Sequence, residues 1–194
     1  MKPRWLLNLP AKLTIPIPNF KVELPVGLLL WLKYRPRVLD AWVEDHLQEV
    51  RENFLKNKTV DERLIHIPID VKHGKKRELT TDDFQTMFKR SPTCLLIVGE
   101  GGTGKTSLAC RIARWGLDEN LAHPMIPVLI EDELQDTPLR TQIRDQLPRQ
   151  DGNFISDELL EVLLKQGRVL VILDHVSEMS DATYKQMKDG LKQN

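Results

Sequence analysis

Apolar residues recur at helical spacing from Pro36 to about Asn57, and acidic residues occupy many of the positions between them. This pattern predicts an amphipathic helix over residues 36–58, with proline in the first turn, where its missing N–H costs nothing. The apolar positions of this helix are Val38, Leu39, Trp42, Val43, Leu47, Val50 and Phe54. We expect this stripe to pack on the domain that follows rather than on a separate partner.

The second half of the chain alternates short apolar runs with segments of helical period. Strands are predicted at Cys94–Val98, Ile126–Ile130 and Val169–Leu173, and helices at Lys105–Leu117, Leu139–Leu147 and Ser156–Lys165. Continuous apolar runs are typical of strands that are covered on both faces. The predicted fold class is therefore α/β, with a parallel sheet flanked by helices.

Two weaker elements are predicted between these regions. Leu64–Val71 alternates like a strand, and Pro68 makes it an edge strand. Thr81 is the predicted N-cap of a short helix with an apolar face at Phe84, Met87 and Phe88.

Residues 1–35 are rich in proline and basic residues and show no helical period, so they are predicted to form an irregular leader. Their longest apolar run, Leu24–Leu32, is far shorter than the roughly 20 residues that span a membrane. Trp31 and Lys33 flank the run in the way that residues do at a membrane interface. We favour packing of this run on the domain over membrane contact.

Composition narrows the class of protein. The 194 residues are 41% hydrophobic and 29% charged, which is typical of a soluble globular protein. The formal net charge is zero, so no specific nucleic-acid partner is predicted, and the basic segment Lys72–Arg77 is expected to be a solvated loop. Cys94 and Cys110 are predicted to be buried thiols, which suits the reducing cytoplasm. The five histidines show no ligand spacing.

The clearest chemical motif is the phosphate-loop pattern Gly99-Glu-Gly-Gly-Thr-Gly-Lys-Thr106, placed between a predicted strand and a predicted helix. Glycines let such a loop wrap a phosphate group with its N–H groups pointing inward, and the start of the helix attracts the same anion. Lys105 would contact the β- and γ-phosphates, and the Thr106 hydroxyl would bind Mg²⁺. The predicted nucleotide-binding residues are Gly99, Glu100, Gly101, Gly102, Thr103, Gly104, Lys105, Thr106 and Ser107.

A second motif is the hydrophobic strand Val169–Leu173, which is followed by an acid, Asp174. In a phosphate-loop protein such an aspartate holds Mg²⁺, here through water, so Asp174 is predicted to be a metal-binding and catalytic residue. Glu178 is a candidate to polarise the attacking water, and the alternative is an ordinary solvated glutamate. The predicted cofactors are ATP and Mg²⁺.

With these motifs and Ile126-Pro-Val-Leu-Ile-Glu131 in view, the chain resembles the NACHT-type NTPases of the signal-transducing (STAND) branch of P-loop ATPases. The resemblance covers roughly residues 60–194, and residues 36–58 resemble the helical linker that precedes such domains in bacterial members. It implies a signalling switch in which ATP binding changes domain packing and drives association with protein partners or further copies.

The second motif departs from the family pattern, which reads aspartate, a small residue, a hydrophobic residue and two acids. Asp174, Val176 and Glu178 match, whereas His175 replaces the small residue and Ser177 stands in place of the first of the two acids. Because that acid assists hydrolysis in the family, we expect ATP binding with weak or absent turnover.

The family's sheet also has a strand between the phosphate-loop strand and the aspartate strand. Residues 180–194 show no apolar run that could supply it. The chain is therefore expected to be an NTPase domain truncated after its second motif. Two alternatives stay open: a non-enzymatic interaction module that uses the 36–57 helix and the Leu24–Leu32 run, and, less favoured, a small-molecule kinase.

Overall fold

The computed structural model describes residues 3–8, 14–17, 20–23, 31–63, 81–89, 94–118, 121, 123–131, 137–181 and 183–185. The strands are β1 (Thr14–Ile17), β2 (Phe20–Glu23), β3 (Ile126–Ile130) and β4 (Val169–Leu173). The main helices are α1 (Pro36–Lys56), α2 (Lys58–Arg63), α3 (Thr81–Phe88), α4 (Lys105–Leu117), α5 (Leu139–Gln146) and α6 (Asp157–Lys165). Pro3–Asn8 and Val176–Glu178 form 3₁₀ turns.

A parallel pair of strands lies at the centre of the core. In this pair Ile126 lies opposite Val169 and Ile130 lies opposite Leu173. Every residue of β3 is buried, as expected for an apolar strand that is covered on both faces. The predicted α/β arrangement, a parallel sheet flanked by helices, is confirmed at this level.

Helix α1 packs its apolar stripe into the same core and contacts β3. The ion pair of the buried Arg168 with the partly exposed Asp40, at 2.7 Å, ties this helix to the residue that precedes β4. Arg168 also donates to the carbonyl of Gln166 at 2.8 Å, so its buried charge has two acceptors. The prediction that the apolar stripe of α1 packs on the residues that follow it in the chain is therefore confirmed.

Helix boundaries follow local capping chemistry. The Ser156 hydroxyl accepts the N–H of Leu159 at 3.2 Å and caps α6, which begins at Asp157, one residue after the predicted start. The Asn57 side chain accepts the N–H of Thr59 at 2.9 Å and separates α1 from α2. Phe84 and Phe88 form the buried face of α3 as predicted, while Met87 is only partly buried.

Three predictions were wrong. The leader is not irregular throughout, because β1 and β2 form an antiparallel hairpin in which Pro16 lies opposite Lys21. Cys94–Val98 is not a strand, since no described residue pairs with its backbone. Cys94 is correspondingly exposed rather than buried, while Cys110 is buried as predicted.

The segment Cys94–Val98 is covered on one side only. Leu95 and Ile97 pack against the cluster around Phe84, whereas Leu96 and Val98 are 81% and 82% exposed. A buried parallel strand requires hydrogen-bonded neighbours as well as apolar side chains, and only the side chains can be read from a sequence.

The predicted edge strand Leu64–Val71 and the predicted loop Lys72–Arg77 lie outside the described residues, as does most of the Leu24–Leu32 run. Within the described part of the chain, no helix has the length and apolar character needed to cross a bilayer.

Stability is expected to fall on acidification because of His123. Its Nε2 donates to the carbonyl of Gly167 at 2.7 Å, and burial lowers the pKa of the imidazole below its ordinary value. The unfolded chain therefore binds the extra proton more readily, and stability is fully present above about pH 6.5 and declines below it. Denaturant titrations between pH 7.5 and 5 should show this decline, with a slope from this residue below the one-proton limit of about 1.4 kcal/mol per pH unit. His123→Gln, which keeps a donor, should flatten the profile, and an unchanged slope in the variant would contradict the assignment.

Candidate functional site

The phosphate-loop motif folds into a tight turn that leads into α4. The Glu100 carbonyl accepts the Thr103 hydroxyl at 2.8 Å and the Thr103 N–H at 3.4 Å. A Cβ on Gly99 would lie 2.9 Å from the Thr103 hydroxyl oxygen, so a larger residue at this position would force the Thr103 side chain to move. Gly104 has φ of +85°, a left-handed conformation that suits glycine at the start of the helix.

Lys105 bends back over this loop. Its ammonium group donates to the carbonyl of Glu100 at 2.7 Å and to that of Gly99 at 2.9 Å. These contacts hold the positive charge against the loop backbone while the third ammonium donor has no acceptor among the described residues. The predicted phosphate-binding lysine is thus part of the loop structure itself.

The start of α4 presents backbone donors at the same place. The first intrahelical bond runs from the Leu108 N–H to the Gly104 carbonyl at 2.9 Å, and Gly104 has no side chain that could cap the helix. The N–H groups of Lys105, Thr106 and Ser107 therefore have no intrahelical acceptor. Uncapped N–H groups and the positive end of the helix dipole together favour an anion.

Helix α4 relates the loop to the carboxyl ends of β3 and β4. Burial and, less strongly, the charges of Asp174 and Glu131 raise the pKa of the Cys110 thiol to about 11. Helix α4 packs on both β3 and β4. The helix that carries Thr106 therefore contacts the two strands that Glu131 and Asp174 follow.

Asp174 directly follows β4, and its N–H donates to the Ile130 carbonyl at 3.0 Å. Its Oδ1 accepts the His175 N–H at 2.9 Å. Its Oδ2 is buried and has no hydrogen-bond partner among the described residues. A buried carboxylate oxygen without a donor is costly, which makes it a place for an ion or a water molecule.

Sequence reasoning missed the role of Glu131 at this position. Glu131 follows β3 as Asp174 follows β4, and its carboxylate joins Asp174 and His175 in a group whose potential ligand atoms lie within 4.8 Å of one another. The signal was present in the sequence, because both acids end apolar strands that parallel pairing aligns.

The other predicted site residues lie outside the group formed by Glu131, Asp174 and His175. Glu178 is exposed on the 3₁₀ turn Val176–Glu178 and is not part of the Glu131 group. Ser107 is buried in α4, whereas Glu100, Gly101, Gly102 and Thr103 lie exposed on the loop. The structure therefore gathers Asp174 with Glu131 and leaves Glu178 at the surface.

Comparison of the chain with protein-family models, curated proteins and solved structures gives no match.

The left-handed conformation at Gly104 leads to a stability prediction. Gly104→Ala should lower the free energy of unfolding by about 1–2 kcal/mol, because an L-residue is strained at a φ of +85°. Gly101→Ala is the matched control: no atom lies within 4 Å of a Cβ placed there, so we expect a change within about 0.5 kcal/mol. Denaturant unfolding of both variants measures the difference. Equal stability of the two would show that the loop does not hold this conformation in solution.

Proposed function

We propose that this chain binds Mg·ATP through residues 99–107 and serves as a nucleotide-dependent switch of the NACHT type. The observation that carries the proposal is the combination of a glycine turn, a lysine held over that turn and an uncapped helix start in one loop. Each of these parts attracts an anion, and together they match the needs of a polyphosphate.

The metal assignment follows from the placement of the carboxylates. Thr106, at the start of α4, would supply a hydroxyl ligand to Mg²⁺. Asp174, at the carboxyl end of β4, would hold the same ion through a water molecule. The support for this pairing is that α4, which begins with Lys105 and Thr106, packs on β3 and β4, and Asp174 directly follows β4. Mg²⁺ ordinarily keeps several waters and takes one or two carboxylates plus phosphate oxygens, which fits such an arrangement.

Helix α4 connects the phosphate loop with α1 and could transmit a structural change between them. The helix begins at the phosphate loop, and its last carbonyl, that of Leu117, accepts the Arg51 guanidinium of α1 at 3.0 Å. Arg51 also pairs with Asp118 at 2.9 Å. A shift of α4 on nucleotide binding would therefore act on α1, which is the helix that resembles the family's linker. This coupling supports a change in packing as the output of binding.

A protein-interaction module is the second candidate function. The observation in its favour is that Leu96 and Val98 are 81% and 82% exposed on an extended segment without a paired neighbour among the described residues. Such a segment suits the addition of a strand from a partner. The two functions differ in their dependence on ATP, since partner binding by this segment alone needs no nucleotide.

Mg·ATP should raise the thermal midpoint of the purified protein. At about 100 times its dissociation constant, a ligand that binds only the folded state adds roughly 2.7 kcal/mol of stability. Lys105→Ala should abolish the effect because it removes the charge that contacts the phosphates, while Lys165→Ala, a remote exposed lysine, should keep it. A folded sample whose midpoint moves with neither ATP nor ADP would refute nucleotide binding.

Turnover should be slow. Glu178 is exposed and Ser177 occupies the position of an expected acid, so no carboxylate is established as the group that activates water. We expect steady-state phosphate release below about 1 s⁻¹, the low end of ordinary enzyme rates. The control is Lys105→Ala, which corrects for contaminating ATPases. A rate above that limit which Lys105→Ala removes would contradict slow turnover without contradicting ATP binding.

A further inference from the structure

Three ligand-type side chains meet where β3 and β4 end. The parallel register pairs Ile130 with Leu173, and the N–H of Asp174 donates to the Ile130 carbonyl, which continues the ladder by one step. Glu131 and Asp174 therefore lie side by side, with His175 next in the chain. One potential ligand atom from each of the three lies within 4.8 Å of the others.

The Asp174 side chain is incompletely satisfied. It is 14% exposed, its Oδ1 accepts the His175 N–H, and its Oδ2 is buried without a hydrogen-bond partner among the described residues. No described lysine or arginine forms an ion pair with Glu131 or Asp174. Two neighbouring carboxylates create a negative potential that a bound cation relieves.

His175 completes the group with a nitrogen ligand. Its Nδ1 lies 4.0 Å from the unpartnered Oδ2 of Asp174, which is too far for a hydrogen bond. An ion bound to both atoms at metal–nitrogen and metal–oxygen distances of about 2.0–2.2 Å would hold them roughly 3.0–3.5 Å apart at ordinary ligand angles, so His175 must move closer to Asp174 when the ion binds. The imidazole is 46% exposed, so a small rotation of the ring brings it closer to the ion.

We propose that Glu131, Asp174 and His175 bind one divalent transition-metal ion in the absence of nucleotide. Two carboxylates alone suit Mg²⁺, Ca²⁺ and Mn²⁺, whereas the imidazole adds affinity for Mn²⁺ and Zn²⁺. The site uses Asp174, as the proposed Mg·ATP site does, but it requires neither the phosphate loop nor ATP. Its expected preference is for Zn²⁺ and Mn²⁺ over Ca²⁺.

The test is calorimetric titration of metal-depleted, nucleotide-free full-length protein with MnCl₂, ZnCl₂, MgCl₂ and CaCl₂. We expect one equivalent of Mn²⁺ or Zn²⁺ to bind, with Ca²⁺ weaker by about tenfold or more. Glu131→Gln and Asp174→Asn should each weaken Mn²⁺ binding by at least about tenfold. His175→Gln should reduce the preference for Zn²⁺ over Mg²⁺, because it removes the nitrogen ligand while both carboxylates remain.

Asp181→Asn is the matched control, since it neutralises an exposed carboxylate seven residues after Asp174 and should leave Mn²⁺ affinity unchanged. Circular dichroism of each variant shows that it is folded, and Mn²⁺ electron paramagnetic resonance reports the bound ion directly. No binding to the wild-type protein, or equal affinity in Asp174→Asn and Asp181→Asn, would overturn the proposal. Because no nucleotide is present, the result is independent of whether ATP binds through Lys105.

Discussion

The parallel register between β3 and β4 is the constraint on which the candidate site depends. Parallel strands end at the same edge of a sheet, so the acids that follow them must become neighbours. The register runs from Ile126 opposite Val169 to Ile130 opposite Leu173, and hydrogen bonds from the Ile126 N–H to the Arg168 carbonyl and from the Asp174 N–H to the Ile130 carbonyl hold its two ends. The carboxylate pair of Glu131 and Asp174 is thus a consequence of strand pairing rather than of local loop structure.

Helix α4 joins this edge to the rest of the molecule. Its first residues belong to the phosphate loop, Cys110 in its middle lies near the carboxylates, and its last carbonyl is held by Arg51 of α1. The Arg168–Asp40 pair then connects α1 to the beginning of β4. Because α4 contacts both strands and α1 contacts β3, the loop, the strand pair and α1 belong to one connected set of packed elements.

The sequence was informative where structure is set locally and uninformative where it is set by distant partners. The bounds of α4, β3 and β4 could be predicted from periodicity and from apolar runs, because these signals lie within each element. The strand predicted at Cys94–Val98 failed since a strand needs a hydrogen-bonded neighbour, and apolar content does not reveal whether one exists. Within the site, the loop was recognisable from its glycines, whereas the role of Glu131 depends on its register with a strand far along the chain.

Electrostatics at the strand ends also bears on the proposed binding of ATP. ATP is strongly anionic, and a site flanked by the carboxylates of Asp174 and Glu131 repels it unless positive charge is already present. Lys105 supplies one such charge at the loop, but its ammonium is directed to the carbonyls of Gly99 and Glu100 rather than to the acids. A cation held by the carboxylates would cancel the repulsion and leave the helix N-terminus to attract the phosphates. Under the proposed function, the Mg²⁺ that accompanies ATP supplies this positive charge, and the affinity for ATP should depend on the cation.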